Sequence, residues 1–132
     1  MKTLSFTLLL FLGLFLITCK KDNSGTTDNT LTGRWKLSET YADPGDGSGK
    51  YLPVAKTNTA YVIFNANGTL NGTAFPNDVS YSVKDSVTLA ITSKNNEVEN
   101  YAYKITSGVL QMSPAGPIFC IEGCGQRFSK VK

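Results

Sequence analysis

The feature that most constrains the fold is an alternation of apolar and polar residues in the chain after residue 30. Val79, Tyr81 and Val83, for example, are separated by single serines, and residues 87–91 and 101–105 follow a similar pattern. Successive side chains of a β-strand point to opposite faces, so this spacing predicts strands with one dry face and one wet face. Because no helical spacing of apolar residues interrupts these segments, we predict an all-β domain.

Turn signals separate the predicted strands. Asn67-Gly68 favours a type I′ hairpin, whose two central residues both need positive φ. Ser107-Gly108 predicts another tight connection, whereas Pro44 and the glycines that follow it predict a loop. We therefore expect eight strands, near residues 33–41, 59–65, 69–75, 79–84, 86–92, 100–106, 108–113 and 125–131.

Eight consecutive strands joined by hairpins favour an antiparallel up-and-down barrel. Closure of the sheet removes the exposed strand edges that an open sheet would present to other chains. The barrel domain is expected to span residues 31–132. A small β-sandwich is the alternative, because it also uses short antiparallel strands with polar turns.

Residues 1–18 have the features of a cleaved signal peptide. Lys2 supplies a positive charge, and residues 4–17 are almost wholly apolar. This run is shorter than the roughly 20 residues that a membrane-spanning helix needs. It is followed directly by Cys19, and the closing sequence LITC resembles the lipobox of bacterial lipoprotein precursors. The resemblance implies cleavage before Cys19 and lipid on its thiol; the alternative is an ordinary secretory signal in which the cysteine is incidental.

The segment after Cys19 is predicted to be a flexible tether. Residues 20–30 contain no apolar side chain, so residues 19–30 have too little surface to bury for folding. The sequence KKD at its start resembles the signals that send some lipoproteins to the outer face of the outer membrane, and the alternative is a merely soluble linker. The resemblance leads us to expect lipid anchoring in the cell outer membrane, with the domain either periplasmic or surface-exposed. Several acyl chains would make this anchoring stable.

Cys120 and Cys124 remain as a pair once Cys19 is assigned to lipid. An even pair in an exported, oxidising compartment predicts a disulfide. Three residues separate the two cysteines, whereas thioredoxin-like redox sites have two. We therefore expect a structural disulfide, with a redox or metal role as the alternative.

The composition argues against catalysis and against nucleic-acid binding. The chain has no histidine, which removes the commonest general base and the usual zinc ligand. Its 13 basic and 10 acidic residues are scattered, with no basic run beyond the lysines next to the anchor. Glu97 and Glu99 are expected to be solvated surface charges. We predict a non-enzymatic protein with no cofactor, no metal site and no nucleic-acid partner.

Several segments resemble those of a known family. The folded part opens with LTGRWKL, which contains a Gly-x-Trp motif at Gly33 and Trp35. The segment YVIFNANGT at residues 61–69 and the closing cysteine pair followed by Phe128 come later in the same order. Together they resemble the small lipocalin-like domains of lipoproteins from Gram-negative bacteria, over nearly all of residues 31–132. The resemblance implies an eight-stranded barrel in which Gly33 and Trp35 are structural residues.

The resemblance also implies a role for an arginine. In lipocalins an arginine near the last strand often packs over the tryptophan of the Gly-x-Trp motif, which here is Trp35. Arg34 neighbours Trp35 in sequence and should point the other way, whereas Arg127 lies on the predicted last strand. We therefore predict that Arg127 stacks on Trp35 as a cation–π pair, with a solvent-facing Arg127 as the alternative.

The barrel interior is the remaining candidate site. An eight-stranded barrel is either filled by its own side chains or holds one small ligand. Aromatic residues on the dry faces would give a cavity an apolar wall with a few polar tips. The alternative is that the tyrosines are core residues whose hydroxyls reach the rim. The predicted ligand-binding residues are Trp35, Phe64, Tyr81, Tyr101, Tyr103 and Met112.

Two functions are consistent with these features. The first is a membrane-anchored, lipocalin-like lipoprotein that binds a small apolar ligand without catalysis. The alternative is a filled-barrel structural or protein-interaction lipoprotein of the cell envelope. Its partner would be an envelope protein, contacted through the predicted loops at residues 42–58 and 93–99.

Overall fold

The computed structural model describes residues 29–132, so the predicted signal peptide, lipid site and most of the tether lie outside the described residues. The described part is all-β, and none of its residues forms a helix long and apolar enough to cross a membrane. Its nine strands are β1 (Gly33–Ala42), β2 (Lys50–Pro53), β3 (Tyr61–Phe64), β4 (Leu70–Gly72), β5 (Asp78–Val83), β6 (Thr88–Ser93), β7 (Val98–Thr106), β8 (Val109–Gly116) and β9 (Gln126–Lys130).

Eight of the strands form an antiparallel sheet that is nearly closed into a barrel. The order is β4-β3-β1-β9-β8-β7-β6-β5, so the first and last strands of the chain are neighbours and most other pairs are consecutive. The two end strands, β4 and β5, meet at a single bridge between Thr69 and Ser80. The nearly closed antiparallel barrel confirms the predicted fold class, and near-closure leaves little unpaired backbone on the sheet edges.

One strand was not predicted. β2 lies in the segment expected to be a loop. It pairs with the second half of β1, whereas β3 pairs with the first half of the same strand. Val54 N donates a hydrogen bond to Ser38 O at 2.9 Å, so the neighbouring residue, Pro53, turns its nitrogen away from β1. Proline has no N–H, which removes a donor from this exposed strand edge.

The hairpin at Asn67-Gly68 differs from the predicted type I′ turn. Gly68 has a φ of 83°, but Asn67 does not have positive φ. Gly68 N donates to Asn65 O and Asn65 N donates to Thr69 O, both at 3.0 Å, which is the pattern of a type I turn followed by a bulge glycine. The tight turn with two positive φ values lies between β7 and β8, at Ser107 and Gly108.

The middle of the barrel is filled by its own side chains. Trp35, Val62, Phe64, Leu89, Leu110 and Phe128 are each 0 % exposed. The alternation therefore predicted the dry face correctly over much of the sheet. It was wrong for Val79, Val83 and Val87, which are 40 %, 52 % and 59 % exposed. Val79 lies in the bulge between Asp78 and Ser80, and Val83 and Val87 lie at the two sides of the β5–β6 turn.

The two ends of the barrel differ, and we call them the base and the open end. Antiparallel pairing places the start of β1 at the base, where the chain enters from Asn29. The base carries the turns at residues 65–69, 84–87 and 107–108. The open end carries the loops at residues 43–49, 73–77, 94–97 and 117–125.

Candidate functional site

The candidate site is a cavity of about 420 Å³ at the open end, which we call the cup. Its lining comes from four strands and from two loops. It includes Thr40 of β1, Ala74 and Phe75 of the β4–β5 loop, Tyr101 of β7, Met112 of β8 and Gln126 of β9. The volume falls within the roughly 300–1,000 Å³ typical of small-molecule sites.

Aromatic packing forms the apolar floor of the cup. The ring of Phe75 meets Tyr101 edge to face at a centroid distance of 5.7 Å and stacks against Phe128 at 6.2 Å. Met112 beside them is 1 % exposed. Because Phe75 is 9 % exposed and belongs to the filled core, the cup ends there and does not continue into the barrel.

The bulge in β1 places polar groups in the cup. The register between β1 and β9 shifts between Leu37 and Glu39, so Thr40 rather than Glu39 lines the cavity, opposite Gln126 of β9. A bulge inserts one residue and so exchanges the faces of the residues beyond it. Thr40 and Gln126 therefore add hydrogen-bonding groups to a largely apolar wall.

Two carboxylates lie close to Tyr101. Burial raises the pKa of the Tyr101 phenol, and the charges of Asp78 and Glu99 raise it further because they disfavour a phenolate. Burial also raises the pKa of Asp78, while Lys94 opposes that shift. The acidic groups near the cup thus stand in partly desolvated surroundings.

Glu99 contradicts the expectation of a solvated surface charge. It precedes Tyr101 by two residues, and therefore turns its side chain to the same inner face of β7. Its Oε2 accepts a hydrogen bond from Ile118 N at 3.2 Å, which joins the strand to the 117–125 loop. Its Oε1 is a buried oxygen with no hydrogen-bond partner among the described residues.

The predicted disulfide closes the 117–125 loop beside the cup. Cys120 and Cys124 are bonded, with their Cα atoms 5.7 Å apart, and Cys124 contributes to the cup lining. The loop exposes three large apolar side chains: Ile118 at 66 %, Phe119 at 68 % and Ile121 at 100 %. The disulfide is confirmed, and the loop that it closes presents an apolar surface at the open end.

The six predicted ligand-binding residues do not form one site. Tyr101 and Met112 line the cup. Trp35 and Phe64 are fully buried, and Trp35 donates its indole N–H to Leu31 O at 2.7 Å. These two side chains are part of the filled core and are out of reach of a ligand in the cup.

The remaining two candidates lie nearer the base. Tyr81 packs edge to face on Phe64 at 4.9 Å and donates its hydroxyl hydrogen to Asn65 O at 2.8 Å. The Tyr103 hydroxyl lies 3.5 Å from Asp85 O. Both tyrosines are therefore core residues with hydroxyls at the rim, as the alternative interpretation had it.

The predicted stacking of Arg127 on Trp35 is wrong. Arg127 lies next to Phe128, which points into the core, so the arginine points outwards. Its guanidinium lies 3.7 Å from the ring centroid of Tyr51 and forms an ion pair with Glu39 at 2.9 Å. Tyr51 belongs to the strand that the sequence did not predict.

Lys130 takes the place expected for the arginine. Its Nζ lies 4.6 Å from the ring centroid of Trp35, and it donates hydrogen bonds to Thr30 O and Thr32 O at 2.6 Å each. Gly33 makes room for it, because a Cβ there would lie 3.1 Å from Lys130 Cε. Gly33 and Trp35 are thus structural residues of the base, with a lysine as their partner.

Sequence reasoning missed Phe75, Thr40 and Gln126 as cup residues. Phe75 lies between Ala74 and Pro76 in a turn, where no alternation could mark it as inward-facing. Thr40 is polar and near a strand end, and the bulge in β1 turns it inwards. Gln126 is also polar and lies two residues before the inward Phe128, so alternation along β9 puts it on the inner face. Of the predicted residues, Tyr101 and Met112 do lie in the cup.

The described residues include no cluster of three or more His, Cys, Asp or Glu side chains that could hold a metal ion. The cup offers an apolar floor, a few hydrogen-bonding groups and nearby carboxylates, which suit binding of a small molecule. No protein-family model matches the sequence, and no relative was found among curated proteins. The likeness to lipocalin-like lipoproteins therefore remains a resemblance based on the motifs quoted above.

Proposed function

We propose that the protein is a lipid-anchored lipoprotein of the cell envelope that binds a small, largely apolar ligand in the cup, without catalysis or a cofactor. The observation that carries the proposal is the cavity of about 420 Å³ floored by Phe75, Tyr101 and Met112. Its volume and the aromatic residues in its wall are typical of small-molecule sites. The ligand site that we propose is therefore at the open end rather than deep in the barrel, where the core is filled.

The ligand site is tested by filling the cup. Ala74 is half-buried and lines the cavity, whereas Ala102 lies on the exposed face of β7. Binding of the apolar fluorophore N-phenylnaphthylamine is measured for Ala74→Phe and for the matched control Ala102→Phe. We expect Ala74→Phe to weaken binding about tenfold or more and Ala102→Phe to leave it unchanged. Equal binding of the fluorophore to both variants would refute the cup as the ligand site.

A natural ligand is sought by native mass spectrometry of the protein purified from its own membranes. A retained small molecule whose amount falls in Ala74→Phe supports the proposal. A bare protein mass in repeated preparations counts against it.

The anchor is tested separately, by metabolic labelling with palmitate. We expect label on the unchanged protein and none on Cys19→Ala. The matched control replaces Cys120 and Cys124 by alanine and should keep the label, because the proposal assigns lipid to Cys19 alone. Label that survives in Cys19→Ala would refute the anchor.

A second candidate function is supported by the apolar 117–125 loop. Ile118, Phe119 and Ile121 form an exposed set on a segment closed by a disulfide, and a rigid apolar set of this kind suits contact with another protein. In this alternative the filled barrel is a scaffold that holds the loop away from the base. Crosslinking in the envelope distinguishes the two: capture of one protein that is lost in Ile121→Ser, with no retained small molecule, would favour the interaction function.

A further inference from the structure

The two ends of the barrel carry opposite charge. The base has more basic than acidic residues: Arg34, Lys36, Lys84, Lys104, Lys130 and Lys132 lie there, with Asp85 as their acidic neighbour. Of these, Lys84 and Lys104 belong to the hairpins at residues 84–87 and 107–108 or to the strands that lead into them. Both side chains are exposed, so they are available to a charged surface.

The open end has the reverse balance. Its acidic residues are Asp43, Asp46, Asp78, Glu97, Glu99 and Glu122, and its basic residues are Lys50 and Lys94. An anionic surface would therefore attract the base and repel the open end. This difference between the ends is hidden in the formal net charge of +3 for the whole chain.

The chain enters the described fold at the basic end. Asn29 Oδ1 accepts a hydrogen bond from Gly108 N at 3.4 Å, which places the start of the described chain beside the base turn. Asn29 follows Cys19 by ten positions. At about 3.3–3.6 Å per residue, that connection reaches at most about 33–36 Å.

We infer that the base is a docking surface for anionic phospholipid headgroups, and that the barrel stands on the membrane with its cup facing away. The inference rests on the anchor at Cys19 that the proposed function includes. Charge attraction falls off within a Debye length of about 8–10 Å, so it acts only on an end held close to the surface. The attachment point and the positive charge are at the same end, and both favour this orientation.

The orientation is measured by paramagnetic broadening. Protein purified from its own membranes is placed in bicelles of phosphatidylcholine, with and without phosphatidylglycerol, that contain a nitroxide-labelled headgroup. In the anionic bicelles we expect strong broadening of the amide signals of Val87 and Gly108 at the base and little at Gly47 and Ile121. High salt, or removal of phosphatidylglycerol, should sharply reduce the difference between the two ends and leave only the part that the attachment point contributes.

Charge reversal supplies the matched comparison. Each cation near an anionic surface changes binding about fivefold, so loss of two weakens docking about 25-fold and reversal weakens it more. The double variant Lys84→Glu, Lys104→Glu should therefore weaken the base-first pattern to the level seen without phosphatidylglycerol. The control Lys50→Glu, Lys94→Glu makes the same charge change at the open end and should keep it.

Two results would overturn the docking: equal broadening at both ends in anionic bicelles, or the same loss in both double variants. Lipid on Cys19 is read from the mass of the same sample, so the anchor and the orientation are judged independently. If the protein lacked that lipid but still showed the base-first pattern, the docking surface would be supported and only the lipid anchor would be refuted.

Discussion

Replacement of Lys130 by methionine tests how much the contacts of its ammonium group stabilise the base of the barrel. Methionine keeps an apolar chain of similar length, so the change removes the ammonium group and little packing. The ammonium lies 4.6 Å from the Trp35 ring centroid and bonds the carbonyl oxygens of Thr30 and Thr32. A partly exposed cation–π contact contributes about 0.5–1 kcal/mol. The two carbonyls belong to exposed residues, so water replaces the lost donors and each bond adds only about 0.5 kcal/mol.

The expected loss in the free energy of unfolding is therefore about 1.5–2 kcal/mol. For a folded part of this size, that loss corresponds to a fall in Tm of roughly 6–16 °C. Urea unfolding is followed by the fluorescence of Trp35, which is the single tryptophan of the chain and lies under the replaced group. The emission of the folded state should also change, because a charge leaves the face of the indole.

Lys36→Met is the matched control. Lys36 lies on β1 at the same end of the barrel, is exposed, and makes the same charge change when replaced. We expect its effect to stay within about 0.5 kcal/mol, as for ordinary surface substitutions. If Lys130→Met cost no more than Lys36→Met, the proposed role of Lys130 at the base would be refuted.

Three further changes test other parts of the structure. Gly72→Ala should destabilise the fold by about 2–4 kcal/mol in urea unfolding, because φ is +126° and a Cβ would collide with the carbonyl oxygen of Tyr61; a neutral result would contradict that geometry. Replacement of both disulfide cysteines by serine should cost about 2 kcal/mol for so short a loop, and the reduced unchanged protein should match it. The backbone N–H of Val87 lowers the pKa of the Asp85 carboxyl, so the stability that this carboxylate contributes is fully present above the ordinary aspartate pKa of about 3.9 and is lost as pH falls through the lower folded pKa. Asp85→Asn should remove that part of the acid dependence, and an unchanged pH profile would count against it.

The strand pattern could be predicted because it is local. Tyr101, Tyr103 and Ile105 alternate with polar neighbours, and any strand with that sequence buries one face whatever it packs against. The same reasoning failed at Val79 and Val83, because Val79 lies in a bulge and Val83 is the last residue of its strand. The disulfide was predictable for a similar local reason, since its two cysteines are only four positions apart.

The partners of the charged residues could not be predicted, because they are set by register between distant strands. Arg127 and Lys130 are both cations on the last strand. Alternation puts Lys130 on the face of Phe128 and Arg127 on the opposite face, but it does not say which inner residue Lys130 meets. The register that places Trp35 opposite Lys130 decides it. The same register and the bulge in β1 bring Thr40 and Gln126 into the cup.

The sequence by itself determined an all-β chain, with alternating strands, a Gly-x-Trp start and a pair of cysteines close enough to bond. These follow from interactions between residues near one another in the chain. Tertiary structure alone decided that the barrel is filled in its middle, that a cup lined by Tyr101 and Met112 lies at one end, and that positive charge gathers at the other. Each depends on closure of the sheet, which brings residues from all parts of the chain to a common end.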